Sequence, residues 1–341
     1  MKMFKNQKIQ IKKVINEMTN SKIPVIAVAG PTASGKSSLA MRLCKDYNGE
    51  LISCDSMQIY RGMDIGTAKP SLEDRAEIRH HLIDICDPDV DFSAAAFAEL
   101  ARKAIADVHA RGKMPILCGG TGLYLDSVLN GVNFGEMEPD AAYREELLRF
   151  AQTNGAQALH DRLSAIDPEA ALAIHPNNIK RVARALEICH LSGMTKTEWD
   201  KNAIKNESPY SACILALDYK NRENLYARIH LRVDEMFAAG LENEVRSLLN
   251  AGYLSPDTTA GGAIGYKELL GYIRGEMTRE EASVAIKTAT RHYAKRQLTW
   301  LRRNANVHWL YPDNERYDDD GHLIFDAHAI IDIHTMMASN A

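Results

Sequence analysis

The stretch Gly30-Pro31-Thr32-Ala33-Ser34-Gly35-Lys36-Ser37 has the spacing G-x-x-x-x-G-K-S, and it leaves few folds open. Glycines at those positions let backbone N–H groups curl around a di- or triphosphate, the lysine supplies a point charge, and the serine hydroxyl can ligate Mg²⁺. The chemistry also needs a strand before the loop and a helix after it, so that the positive helix end faces the anion. Here the apolar run Ile23–Ala29 reads as a buried strand, and Ser38–Leu43 opens a helix. The eight residues Gly30 to Ser37 are therefore the expected phosphate-binding loop, with Ser37 the expected ligand of Mg²⁺. The alternative, a chance match in a turn, does not call for the flanking strand and helix.

The pattern around the loop predicts an α/β fold: a P-loop NTPase-like parallel sheet with helices on both faces. Short apolar runs Glu50–Cys54, His81–Ile85 and Met114–Cys118 read as strands, and a helix is expected from about Ser93, its N-cap, to His109. Ligands of such sheets collect at the carboxyl ends of the strands, where the loop, Asp55 and Thr121 all fall. From about residue 131 to 208 the rhythm becomes helix only, with Asp140–Phe150, Ala156–Ile166 and Asn178–Leu191 at helical spacing and Gly193 as a C-cap. The strand Ala212–Leu217 then resumes the sheet. This divides the chain into an N-terminal extension (1–22), a core (23–130 and 209–312), an all-helical insertion (131–208) and a tail (313–341). The insertion is read as a lid or substrate-holding arm, against the alternative of extra packing on a sheet edge.

Composition matters mainly by what it excludes. The net charge of −4 gives no global signal for nucleic acid, so such a partner needs a local basic face. The six cysteines are scattered and none form CxxC, against zinc or disulfide frameworks and in keeping with a cytoplasmic location. No apolar stretch approaches the ~20 residues of a membrane helix. Two helices carry patterned charge. In Asn224–Ala239, Leu225, Ile229, Val233 and Met236 form an apolar stripe, with Arg228 and Arg232 on an adjacent face. Thr278-Arg279-Glu280-Glu281 is a capping box opening a helix to about Arg303. On it Ile286, Tyr293 and Trp300 are expected to be buried, while Lys287, Arg291, Lys295 and Arg302 gather on another side with no acidic residue along it. That stripe is read as a polyanion footprint rather than a solvated face.

The string Asp55–Pro70 (DSMQIYRGMDIGTAKP) resembles the segment after the second strand of tRNA dimethylallyltransferases. Gly30–Ser37, His80–Asp84, Gly119–Tyr124, Arg181–Glu187, Ala263–Glu268 and Tyr293–Trp300 extend the resemblance, in the same order, from Val25 to Arg303. Without a C-terminal zinc finger the likeness is to the bacterial type. It implies transfer of a dimethylallyl group from dimethylallyl diphosphate to the N6 amine of the adenosine on the 3′ side of the anticodon, with pyrophosphate leaving and the base flipped out of its stack.

What the resemblance implies for residues is specific. Lys36, Ser37 and the loop amides would stabilise the leaving group, joined by Arg228 as the first choice of clamp and Arg232 as the second. Asp55 would accept the amine proton, against the alternative of holding Mg²⁺ through water. Thr121 would act near the diphosphate or the amine, and Ser34 on the same anion. Ser56, Met57 and Gln58 would line the base edge, with Gln58 its amide reader. Lys180, Arg181 and Arg184 would meet RNA phosphates, with Arg291, Lys295 and Arg302 as a second surface, although Arg181 and Arg184 have Glu187 as an intrahelical alternative. Tyr60 and Tyr124 are read as packing residues, and His80 and His81 as structural. The partners expected are tRNA, through its anticodon stem-loop, and dimethylallyl diphosphate, with the chain a monomer. Rival readings are a nucleoside or nucleotide kinase, a prenyltransferase acting on free adenine nucleotides, and a GTP switch, the last lacking an N-K-x-D motif.

Overall fold

The computed structural model describes residues 22–129, 140–202, 208–255, 258–313, 316–317 and 323–324. Lys2, Lys5, Lys8, Lys12 and Lys13 of the N-terminal extension and the acidic Glu315, Asp318, Asp319 and Asp320 of the tail lie outside the described residues. Two compact units divide the chain, Met1–Asn130 with Ser208–Ala341 in one and Gly131–Glu207 in the other.

The first unit is built on β1 (Ile23–Ala29), α1 (Lys36–Asp46), β2 (Gly49–Ser53), α2 (Leu72–Glu77), β3 (His80–His81), α3 (Ala94–Ala110), β4 (Met114–Gly119) and α4 (Gly122–Leu129). The second unit contributes α5 (Ala141–Asn154), α6 (Ala156–Ile166), α7 (Pro168–Ala173), α8 (Ile179–Ser192) and α9 (Lys196–Asn202). The first resumes with β5 (Tyr210–Leu217), α10 (Arg222–Ala238), α11 (Leu241–Asn250), α12 (Tyr266–Ile273), α13 (Arg279–Leu301) and β6 (Val307–Leu310), then a two-stranded antiparallel ribbon, β7 (Arg316–Tyr317) and β8 (Leu323–Ile324). Six strands form one sheet in the order β3-β2-β4-β1-β5-β6, every pair parallel. No helix among the described residues is long and apolar enough to cross a membrane.

A parallel sheet must be covered on both faces, which explains why its strands are continuous apolar runs rather than alternating ones. Ile26 and Val28 of β1 pack with Leu51, Ile116, Leu215 and the α1 residues Leu39 and Leu43 in one core cluster. Strand residues of the other parity, such as Ile52 and Leu117, are 0% exposed, and α3 packs on β2 and β4 with Phe97, Ala101, Ile105 and Val108 buried. The chain then places the ends of β1, β2 and β4 side by side, and with them the phosphate loop, Asp55 and Thr121.

The expected strand His81–Ile85 stops after His81. Leu82 and Asp84 take φ of 62° and 57°, outside extended backbone, and Asp84 is anchored there by Lys69 and by Arg75 at 2.7 Å. Ion pairing thus overrides the β propensity of the apolar run. His81 Nε2 lies 2.7 Å from Glu50 Oε2, and His80 Nδ1 lies 2.7 Å from the Ile78 carbonyl. Asp313, expected in a tail, accepts from the Lys220 and Asn221 N–H groups ahead of α10.

Glu50 is 1% exposed, yet it is charged, because Arg111, Lys113 and His81 converge on its two oxygens. Arg111 above all, aided by Lys113 and His81 and opposed by burial, holds this carboxyl well below the ordinary glutamate value of 4.5. A carboxyl so depressed contributes stability that is present above its unfolded value and lost as pH falls through the folded one. Glu50→Ala should cost about 1–3 kcal/mol, because it removes a buried carboxylate hydrogen-bonded to cations that themselves keep part of their solvent. Chemical denaturation near neutral pH checks this, and Glu50→Gln should remove part of the stability loss that the unsubstituted chain shows on acidification below pH 4.5.

Candidate active site

The phosphate loop is curled by three positive φ angles within six residues: Gly30 at 151°, Ala33 at 62° and Gly35 at 94°, the last being the N-cap of α1. A side chain at Gly30 would meet Ser34 Oγ at 2.9 Å and the Leu217 carbonyl at 3.1 Å, so the turn after β1 admits glycine alone. Ser34 is 1% exposed, and its hydroxyl has no hydrogen-bond partner among the described residues. Arg228 donates from Nε to the carbonyl of Ala33 at 2.9 Å, so it braces the loop at its one non-glycine left-handed residue.

Beside the loop opens a cavity of about 850 Å³, lined by Thr32, Lys36, Ser37, Asp55, Arg232 and Tyr293 among others. Burial lowers the Lys36 ammonium below the ordinary lysine range. Arg232 pushes in the same direction, against Asp55 and Cys118. Burial also lowers Arg232, and neighbouring Arg228 adds to it. Two desolvated cations face one cavity, a costly arrangement that an anion between them would relieve. Of the two arginines expected to clamp the diphosphate, Arg232 lines the cavity and Arg228 does not.

The ends of β2 and β4 line the same cavity. A side chain at Gly119 would lie 2.2 Å from the Cys54 carbonyl, so the two strand ends meet as closely as backbone permits. Asp55 Oδ1 accepts from the Met57 N–H at 2.9 Å and the Gln58 N–H at 3.4 Å, which fixes the carboxylate at the strand end. Thr121 Oγ1 accepts from the Ser56 N–H at 3.2 Å. Gln58 spends its amide within the protein: Nε2 donates to the Thr67 and Ala68 carbonyls at 3.2 Å and Oε1 accepts from Ser53 Oγ at 3.0 Å. Tyr293, expected in a buried stripe, lines the cavity instead, and its hydroxyl is pushed up to about 12 by burial first and the Asp55 carboxylate second.

With this geometry in view the comparisons with known proteins are decisive. A family model described as IPP transferase matches residues 58–304. The chain belongs to the IPP transferase family. As an IPP transferase it is 49% identical to a tRNA dimethylallyltransferase of Halalkalibacterium halodurans over 84% of this chain and 90% of that one. A tRNA dimethylallyltransferase of Geobacter sulfurreducens is 46% identical over 88% and 96%. Among solved structures, a tRNA isopentenylpyrophosphate transferase from Bacillus halodurans superposes with a TM-score of 0.65 at 45% identity, covering 93% of this chain and 96% of that one. A eukaryotic dimethylallyltransferase captured acting on tRNA gives a TM-score of 0.77 at 30% identity, with 94% and 80% covered.

Two residues of this IPP transferase that sequence reasoning missed shape the site. Glu244 accepts N–H groups from Asp64, Ile65 and Gly66 at 2.9, 2.7 and 3.0 Å, and the Tyr266 hydroxyl at 2.7 Å. It thereby folds the segment after Asp55 into a fixed wall. Gln297, on α13, joins two loops. The residues they join are distant: the backbone partners of Glu244 and both loops held by Gln297 lie more than 170 residues away.

The basic stripe of α13 is thinner than expected. Lys287 pairs with Asp234 at 2.5 Å and Arg302 with Asp218 at 2.9 Å, carboxylates supplied by α10 and the end of β5. Arg291 lies over the Tyr226 ring and Lys295 is exposed. Within the second unit, Lys180 and Arg181 are exposed, whereas Arg184 donates to Glu187 Oε2 at 2.8 Å, a carboxylate 0% exposed and shared with Arg144.

Proposed function

We propose that this chain transfers the dimethylallyl group of dimethylallyl diphosphate to the N6 amine of the adenosine on the 3′ side of the anticodon in tRNA. The product is N6-dimethylallyladenosine and pyrophosphate leaves. The observation that carries the reading is the pair of desolvated cations, Lys36 and Arg232, in a cavity that Asp55 also lines. A leaving diphosphate gathers negative charge as its C–O bond breaks, and preorganised cations and loop amides stabilise that charge. The adenine amine forms the new C–N bond and loses a proton, which Asp55 accepts. Thr121 orients the Asp55 turn through the Ser56 amide.

Ser37 is exposed at the cavity wall, and its hydroxyl suits a hard cation that takes most ligands from diphosphate and water. It would hold Mg²⁺, whose charge would offset that of the leaving group. Ser56, Met57 and Gln58 line the same cavity; Ser56 and Met57 would face the base, while Gln58, its amide bonded to Ser53, Thr67 and Ala68, anchors the segment.

The test is transfer of label from dimethylallyl diphosphate into an anticodon stem-loop, with AMP and a phosphoryl-transfer assay alongside. Label in the stem-loop is the expected result. Faster prenylation of AMP, or phosphoryl transfer to a mononucleotide, would refute the reading.

RNA phosphates would be met in the second unit by Lys180 and Arg181, with Arg184 engaged on Glu187. Replacing Lys180 and Arg181 together by Ala should lower the slope of log affinity against log salt by about 1–2, at ~0.7–0.9 per lost phosphate contact. Arg184→Ala should instead lower the thermal stability of the chain. An unchanged salt slope in the double variant would remove that helix end from the RNA surface.

A further inference from the structure

The motif Tyr293–Trp300 contains a side chain with no role so far. Gln297 is 5% exposed and sits between the two loops that build the cavity. Its Oε1 accepts from the Thr32 N–H of the phosphate loop at 2.9 Å, and its Nε2 donates to the Gly120 carbonyl at 3.0 Å. The fit is close: a side chain at Gly120 would lie 2.0 Å from that Nε2. The pairing also fixes which way the amide points, since an N–H needs an acceptor and a carbonyl needs a donor. Among the uncharged side chains of this length, only glutamine provides both.

We infer that Gln297 is a positioning residue that sets the diphosphate cradle by withdrawing the Thr32 amide from it and locking the phosphate loop to the Gly120–Thr121 turn. Resting on the proposed function, this inference deepens it. The withdrawal leaves the N–H groups from Gly35 onward, at the start of α1, for the anion. The same amide holds Gly120, whose neighbour Thr121 touches the Ser56 N–H beside Asp55. One side chain therefore fixes the spacing between the leaving-group cradle and the proton-accepting wall. It also puts α13 in register with both.

The experiment compares the unsubstituted chain with Gln297→Met and Gln297→Glu, reading inorganic pyrophosphate affinity by calorimetry and single-turnover prenyl transfer to the stem-loop. Gln297→Met loses both bonds at similar volume, and its pyrophosphate affinity should fall about tenfold, the loss of one or two neutral hydrogen bonds. Stem-loop affinity should stay as it is. Gln297→Glu should fall further at pH 8, because an ionised carboxylate faces the Gly120 carbonyl and adds charge beside the anion. As pH is lowered to 6 its deficit relative to the unsubstituted chain should narrow, because the protonated acid can again donate to Gly120 and accept from Thr32. Tyr293, whose hydroxyl faces Gln297, stays a phenol across that range, being pushed up to about 12.

Equal losses in both variants with no pH trend would make Gln297 a packing prop and overturn the inference. So would unchanged pyrophosphate affinity in folded variants. If the unsubstituted chain neither bound pyrophosphate nor transferred label, the functional reading itself would fall, and the inference with it.

Discussion

Asp55→Asn is expected to lower single-turnover prenyl transfer by a factor on the order of 10²–10⁴, the usual contribution of a positioned acid–base group, with RNA affinity near normal. Asparagine is the informative substitution here. Its side-chain oxygen can still accept from the Met57 and Gln58 N–H groups that now hold Asp55 Oδ1, so the turn after β2 survives while the proton acceptor is lost. Alanine would remove both and mix a structural loss with a chemical one. Rapid-quench measurement with saturating stem-loop and dimethylallyl diphosphate checks the prediction. Weakened RNA binding with an unchanged transfer rate would contradict the assignment of Asp55 as base.

Lys36→Ala is expected to cut turnover on the order of 10²–10³, as loss of one preorganised charge-stabilising group does elsewhere, and to weaken pyrophosphate binding. Arginine should not rescue it, because a planar guanidinium cannot occupy a slot built for a point charge. The two arginines of α10 should separate: Arg232→Ala, which empties the cavity wall, should cost more than Arg228→Ala, which only loosens the Ala33 carbonyl. A pH effect follows with a definite sign. Burial lowers Lys36 below the ordinary 10.5, so pyrophosphate affinity should fall on the alkaline side at a pH lower than a normal lysine would give. Affinity independent of pH up to 10.5 would mean that Lys36 does not meet the anion.

How much of this was legible in the chain depended on the sequence distance between partners. The phosphate loop was readable because its chemistry is local, with every participant within eight residues and the strand and helix immediately adjoining. The long apolar strands, the Thr278 capping box and the Ser93 cap were readable for the same reason. The short strand at His80 was misjudged, because Lys69 and Arg75 hold Asp84 in a left-handed conformation that no propensity foresees. The basic stripe of α13 looked free of acids because only neighbours on one helix can be seen in a sequence, whereas Asp234 and Asp218 arrive from elsewhere in the fold. Tyr293 shared the seven-residue spacing of Ile286 and Trp300, yet spacing does not distinguish a core from a cavity lining. Glu244 gave no signal, and Gln297 showed only as one residue of the Tyr293–Trp300 motif, since the importance of each lies in what it joins.

The central claim is geometric: a diphosphate held at the end of β1 while an adenine amine approaches from the end of β2. The most direct measurement is a crystal structure with an anticodon stem-loop and a non-hydrolysable dimethylallyl diphosphate analogue. The account predicts the diphosphate on the amides at the start of α1 with Lys36 and Arg232 touching it, and the adenine N6 within hydrogen-bonding distance of Asp55. A diphosphate bound elsewhere, or an N6 turned away from that carboxylate, would contradict it.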